Sequence, residues 1–184
     1  FSLLTLSNES LEAIGRKNIP LEGYRSLSDT YFKSGYSLSP DLIIPLPGET
    51  TDSFKEGYAD LASWPHVKRI RIYPCTILPN APMAKPDYRE RWGLKTVISS
   101  LDPQRGLRAD DPELLDEKIE TVLATNTMSE LDVAEAKLFV AVVNALEVYG
   151  ITRPLRAHVQ RLTGYGGGVF YDALMRWQLA NEGV

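Results

Sequence analysis

Apolar positions change rhythm halfway along the chain. The first half holds apolar runs of strand length: "FSLLTL", "DLIIPL" and "VKRIRIYPCTIL". Helical spacing lies between them. Ser7 can cap a helix that puts Leu11 and Ile14 on one face. Leu21, Tyr24, Leu27 and Tyr31 repeat at helical intervals, and Gly35 supplies a stop. Ser53 and Glu56 read as a capping box, ahead of Phe54, Tyr58 and Leu61 on one face. Strands alternating with helices predict an α/β fold with a parallel sheet and right-handed crossovers.

After Met83 the pattern fades. "NAPMAKPDYRERWGLKT" is rich in proline and polar residues and reads as an ordered surface loop, and "SSLDPQRGLRADDP" reads as a linker. From Pro112 the spacing becomes helical, in "PELLDEKIETVLAT", "SELDVAEAKLFVAVVNALEVYG", "RPLRAHVQRLTG" and "VFYDALMRWQLAN". The expected division is residues 1–96, an α/β portion, and residues 97–184, a helical portion. "TGYGGGVFYD" has no strand before it, so it reads as a spacer between helices rather than a phosphate cradle. Tyr165, Phe170, Tyr171, Arg176 and Trp177 around it suit core packing first and a pocket wall second.

Composition narrows the function classes. At 43 % hydrophobic residues, a packed core is within reach. Twenty basic against 24 acidic residues, a net charge of −4, give no footprint for a nucleic-acid partner. No apolar run approaches the roughly 18 residues that cross a membrane. Cys75 is the only cysteine, which excludes an intrachain disulfide and fits the cytoplasm. It reads as a small buried hydrophobe. His66 and His158 form no metal spacing. The chain opens on Phe1 in an apparent strand, so it reads as starting inside a longer polypeptide.

Candidate chemistry gathers at strand ends. In parallel β/α barrels, ligands sit at the C-terminal ends of the strands. "LTLS", "PLPGET" and "YPCTILPN" would meet there. In "KRIRIYPC", Ile70 and Ile72 share one face, with Arg69, Arg71, Tyr73 and Cys75 on the other. A lumen-facing arginine needs an anion. Arg71 and Tyr73 are therefore candidates for a substrate carboxylate or phosphate. A ladder of ion pairs with acids from neighbouring strands is the alternative.

The order "TLSNESLEAIGRKN", "DLIIPLPGETTDSF", "IYPCTILPNAPMAKPDYRERWGLKT" resembles the second half of the barrel in cobalamin-dependent radical S-adenosylmethionine (SAM) enzymes. The resemblance covers residues 1 to 96. It implies the C-terminal half of a partial (β/α)6 TIM-like barrel, followed by a helical domain that caps the barrel mouth and selects the substrate. It also implies roles for single residues. Arg16 matches the arginine that meets the SAM carboxylate, and Asp41 the acid that accepts from the ribose hydroxyls. Ile43 matches an apolar contact to adenine, and Leu78 packs on the same base. Thr5 keeps one polar contact on the fourth barrel strand. Glu49 is read as serving the turn into the next helix, and no residue takes a catalytic role.

Three departures from the family pattern stand out. Leu4 replaces a glutamine, and Pro45 replaces a glycine, which removes a backbone donor. The Cys-x-x-x-Cys-x-x-Cys triad is missing, so one cysteine cannot hold a [4Fe–4S] cluster. The cluster ligands and a cobalamin domain are expected upstream, as partners within the same polypeptide.

The function implied by the resemblance is methyl transfer from SAM through methylcobalamin to a small-molecule or amino-acid-derived substrate, in antibiotic or other secondary metabolism. In the family's usual route a second SAM yields a 5′-deoxyadenosyl radical. A tryptophan C2 methyltransferase is one member in view, given Leu4 and Pro45. The alternatives are a radical SAM cyclase, oxidase or methylthiotransferase, and a noncatalytic α/β partner-binding module.

Overall fold

The computed structural model describes residues 2–64, 67, 69–100 and 118–181. His66 and most of the expected linker lie outside the described residues. The fold is α/β, with small sheets and seven α-helices among the described residues.

Strands β1 (Ser2–Leu4), β2 (Asp41–Ile44) and β3 (Arg71–Pro74) form a parallel sheet in that order. Helices α1 (Asn8–Ala13) and α2 (Leu21–Lys33) join β1 to β2, and α3 (Thr51–Ser63) joins β2 to β3. Ser7 caps α1 by accepting from the Ser10 N–H, as its position predicts. The capping box of α3 is displaced. Thr50 and Ser53 form it, which leaves Glu56 one turn too deep to serve.

Alternation along β2 divides the sheet into two faces. Leu42 and Ile44 join Leu3 and Ile70 under Phe54, Tyr58 and Leu61 of α3. Helices α5 (Glu130–Val143) and α7 (Gly167–Ala180) then cover α3 through Phe139, Val143, Tyr171 and Met175, all in one core. Phe139 meets Tyr58 and Tyr171 edge-on, each at 6.5 Å between ring centres. Lys55 of α3 bridges the layers, with Nζ 2.6 Å from Glu135 of α5 and 2.7 Å from Asp172 of α7. The opposite sheet face carries Asp41, Ile43, Arg71 and Tyr73.

Two expectations fail after β3. The third apolar run breaks at Cys75, and its tail, β4 (Thr76–Ile77), leaves the parallel sheet. The expected loop is structured. It holds a short 3-10 turn (Pro82–Ala84), helix α4 (Pro86–Trp92) and strand β5 (Lys95–Ser100). Pro86 starts α4 where no amide donor is needed, and Gly93 ends it at φ 57°.

The expected helix after Pro112 is, over its described part, strand β6 (Lys118–Ala124). It pairs antiparallel with both β4 and β5. The β-branched Ile119, Thr121 and Val122 fit a strand, and two open edges were there to receive it. Strand β5 runs through residues 96 and 97. The later helices stand as read: α5, continued by a π-helical turn (Asn144–Val148), α6 (Arg153–Thr163) and α7.

Candidate functional site

The seven residues singled out from sequence do not converge on one point. Asp41 and Arg71 open their strands and pair in register. Arg71 Nε donates to Asp41 Oδ1 at 2.6 Å, and Nη2 donates to Oδ2 at 3.0 Å. This bidentate pair is the ion-pair alternative left open for Arg71. Its guanidinium also lies 5.9 Å from the centre of the Tyr73 ring, which is half-exposed. All three sit on the face away from α3; Asp41 and Arg71 lie at the N-terminal ends of their strands, and Tyr73 stands in register with Ile43 nearer the C-terminal ends.

The C-terminal side of the strands carries different chemistry. Leu4, Ile43, Leu46, Cys75, Ile77 and Val122 form a second apolar cluster there. Leu4, where the family has glutamine, sits at φ 63° and packs into this cluster. Cys75 is buried in it, and burial pushes its thiol up to about 11, which makes it an inert hydrophobe at neutral pH. Leu78 leaves β4 exposed. Arg16 is exposed and lines a cleft of ≈ 750 Å³ with Asn8, Leu11 and Ile19.

Thr5 is buried and fully engaged. Its hydroxyl donates to Glu49 Oε1 at 2.9 Å and accepts the Ser7 N–H at 3.0 Å. Its carbonyl accepts from Asn18 Nδ2 at 2.9 Å. Glu49, read from sequence as a turn residue, is 1 % exposed. Its Oε2 has no hydrogen-bond partner among the described residues. Burial raises this carboxyl to about 7, against the lowering effect of the Thr5 hydrogen bond. Gly48 makes the burial possible. At φ 77° it lies against the first turn of α1, where an added Cβ would stand 3.1 Å from the Glu9 carbonyl oxygen. The sequence signal for Glu49 was an acid one step past Pro-Gly, too common in turns to single it out.

A second buried network holds the C-terminal helices together. Glu147, in the π-helical turn, accepts from Arg156 Nε at 3.0 Å and from the Tyr171 hydroxyl. Burial pushes Glu147 up, but Arg156 and Tyr171 outweigh it and hold the carboxyl below its ordinary value. Tyr171 therefore belongs to the core, while Tyr165 and Trp177 are exposed and Arg176 pairs with Asp172. His158 is exposed beside Arg161.

Fit to the implied groups differs. Ile43 and Leu78 are apolar and Arg16 is an exposed guanidinium, the residue types that the resemblance assigns to an adenine and a carboxylate, and the cleft that Arg16 lines includes neither Ile43 nor Leu78. The residues here do not suit a [4Fe–4S] cluster. The sole thiol is buried, and among the described residues no group of three His, Cys, Asp or Glu could hold a metal ion. Among the described residues, no helix is long and apolar enough to cross a membrane.

No protein-family model matches the chain. It is 34 % identical over 173 residues to the cobalamin-dependent radical SAM methyltransferase TokK of Streptomyces tokunonensis, covering 94 % of this chain and 25 % of that protein. It is 35 % identical over 181 residues to the 2-(S-pantetheinyl)-carbapenam-3-carboxylate methyltransferase of Streptantibioticus cattleyicolor, covering 94 % of this chain and 26 % of that protein. The chain spans about a quarter of the length of these curated relatives. It is homologous to a segment of cobalamin-dependent radical SAM methyltransferases, the family its sequence resembles.

Proposed function

We propose that this chain is part of a cobalamin-dependent radical SAM methyltransferase acting on a small-molecule substrate. The observation that carries the reading is identity of 34–35 % over 94 % of the chain to two proteins named as methyltransferases. It favours methyl transfer over radical chemistry without it, and over a noncatalytic module. The name of one relative, a carbapenam carboxylate methyltransferase, favours a bicyclic carboxylate of antibiotic metabolism over tryptophan. A cytoplasmic setting and upstream cluster and cobalamin domains in the same polypeptide complete the proposal.

SAM supplies the methyl group when bound. The chain's own residues bind and orient. Ile43 and Leu78 offer apolar surface to the adenine. The Arg16 guanidinium offers a two-pronged partner for the carboxylate of the amino-acid moiety. Asp41 serves the ribose hydroxyls through an oxygen lone pair that the Arg71 pair leaves free. Arg71 and Tyr73 then form the wall that a substrate carboxylate would meet. The strands from β1 to β3 belong to a half-barrel in this reading, with residues 97–184 bearing on substrate choice.

The test uses the full-length protein, purified without oxygen. Iron, acid-labile sulfide and corrinoid should co-purify, and SAM should give a methylated product from a carbapenam-type carboxylate. Protein lacking both iron and corrinoid after reconstitution would defeat the proposal.

A further inference from the structure

Among the described residues, Glu49 is the one buried carboxyl that the reading above leaves without a task. It sits where β1 and β2 end, beneath the first turn of α1. Its side-chain partner is a hydroxyl, not a cation. Its other oxygen faces protein interior with no partner among the described residues. A carboxylate anion in that setting would lack both countercharge and solvent, whereas a neutral carboxyl accepts from Thr5 through one oxygen and keeps its proton on the other.

The consequences run outward through Thr5. The Thr5 hydroxyl accepts the Ser7 N–H, and Ser7 in turn accepts the Ser10 N–H to start α1. The Thr5 carbonyl ties down Asn18, two residues past Arg16. Both hydroxyl functions of Thr5 are thus used within the protein, so its side chain orders the segment from residue 5 to residue 18. Asn8, Leu11, Arg16 and Asn18 of that segment line the ≈ 750 Å³ cleft.

We propose that Glu49 is a positioning residue that works as an uncharged acceptor, holding Thr5, α1 and the Arg16 loop in the shape of the cofactor seat, and that its ionisation loosens that seat. The part concerning the seat rests on the SAM reading above, while the uncharged state of Glu49 does not. Burial raising this carboxyl to about 7 agrees with the geometry. The other titratable groups on the elements packed around it do not neutralise it. Glu9 and Glu12 of α1, Asp52 of α3, and Arg16 and Lys17 after α1 are exposed, and Cys75 is a buried neutral thiol. Among the described residues none of them forms a hydrogen bond or ion pair with Glu49.

The experiment compares the full-length wild type, Glu49→Gln and Thr5→Val. Infrared spectra are taken at about pH 5.5 and about pH 8.5, with thermal unfolding and SAM titration calorimetry alongside. In the wild type a protonated-carboxyl band should be present at the acid end, absent in Glu49→Gln, and shifted in Thr5→Val by loss of its hydrogen bond. Wild-type SAM affinity should fall by about threefold or more toward the alkaline end, while Glu49→Gln should hold within about twofold across the same range. Thr5→Val should bind SAM more weakly at both ends. An acid-end band that survives in Glu49→Gln, or does not move in Thr5→Val, overturns the uncharged state. Equal pH responses of wild type and Glu49→Gln overturn the link to the seat. If neither protein binds SAM at any pH, the cofactor reading and the link to the seat both fall, and the infrared arm still decides the charge of Glu49.

Discussion

Replacing Lys55 with methionine tests how the C-terminal helices are fastened to the α/β layer. The side chain of Lys55 is 5 % exposed, and its ammonium reaches Glu135 at 2.6 Å and Asp172 at 2.7 Å. It also lies 5.6 Å from the centre of the Phe139 ring. Burial disfavours its charge, yet Asp172 and Glu135 more than offset that and keep it protonated. Methionine preserves the apolar stem and removes the ammonium. Stripping one partner from a buried pair costs about 3–5 kcal/mol, and the lost cation–π contact adds up to about 2. The two carboxylates left behind are 43 % and 26 % exposed, so water recovers part of their solvation. The net expectation is a loss of about 2–4 kcal/mol, or roughly 4–16 °C in Tm for a chain of this size. Urea unfolding followed by tryptophan fluorescence gives the figure. Adding Glu135→Leu and Asp172→Leu to Lys55→Met should return much of the loss. A folded Lys55→Met protein within about 0.5 kcal/mol of wild type would show the clamp to be no stronger than a surface pair, and would refute the reasoning.

Other predictions follow from single contacts. Gly168→Ala should destabilise by about 1–3 kcal/mol, because the new Cβ would stand 2.9 Å from Glu56 Cα and push α7 off α3; a neutral effect on urea unfolding would contradict that packing. Glu49 holds its proton in the folded state to about 7 but loses it near the ordinary 4.5 when unfolded. Stability should therefore fall by about 3 kcal/mol as pH rises from about 4.5 to about 7, and no further above that; Glu49→Gln should flatten that stretch of the stability curve. Glu120 is the opposite case: Arg89 first, and then Thr96, hold it at about 2. Its contribution is complete above about 4.5 and lost as pH falls toward about 2, so Glu120→Gln should be less stable than wild type at neutral pH and close to it at the acid end. For SAM binding, Asp41→Ala should raise Kd; if Asp41 acts directly on the ribose, Arg71→Ala should raise it less, and an unchanged Kd in folded Asp41→Ala removes Asp41 from the seat.

Much of the fold was legible because its signals are local. The caps at Ser7 and Gly35, the stripe of α3 and the long apolar stripe of α5 depend on residues within a few positions of one another. The alternation of β3 correctly separated Ile70 and Ile72 from Arg71 and Tyr73. Strands β5 and β6 were not legible for the converse reason. "KIETVLA" carries Ile119, Val122 and Leu123 at helical spacing, and only the edges of β4 and β5, brought near by the fold, decide for a strand. The same limit hid the glycines of α7. "GGG" reads as a spacer, yet Gly167 and Gly168 start the helix because α3 approaches too closely for a side chain.

The candidate site was legible by face but not by depth. A period of two tells which side of a sheet a residue takes, and says nothing of what closes over it. Asp41 and Glu49 come from the same short motif and carry the same functional group. Asp41, at the strand entry, meets the two-pronged Arg71 guanidinium and forms one half of an ion pair. Glu49, at the strand exit, is shut in by Gly48 against α1 with one hydroxyl for company, so the charge is what it gives up. A motif therefore transfers an acid, while the environment decides whether that acid acts as a charge or as a neutral hydrogen-bonding group. In this chain the charged one holds two strands side by side, and the neutral one holds the strand end on which the Arg16 loop is built.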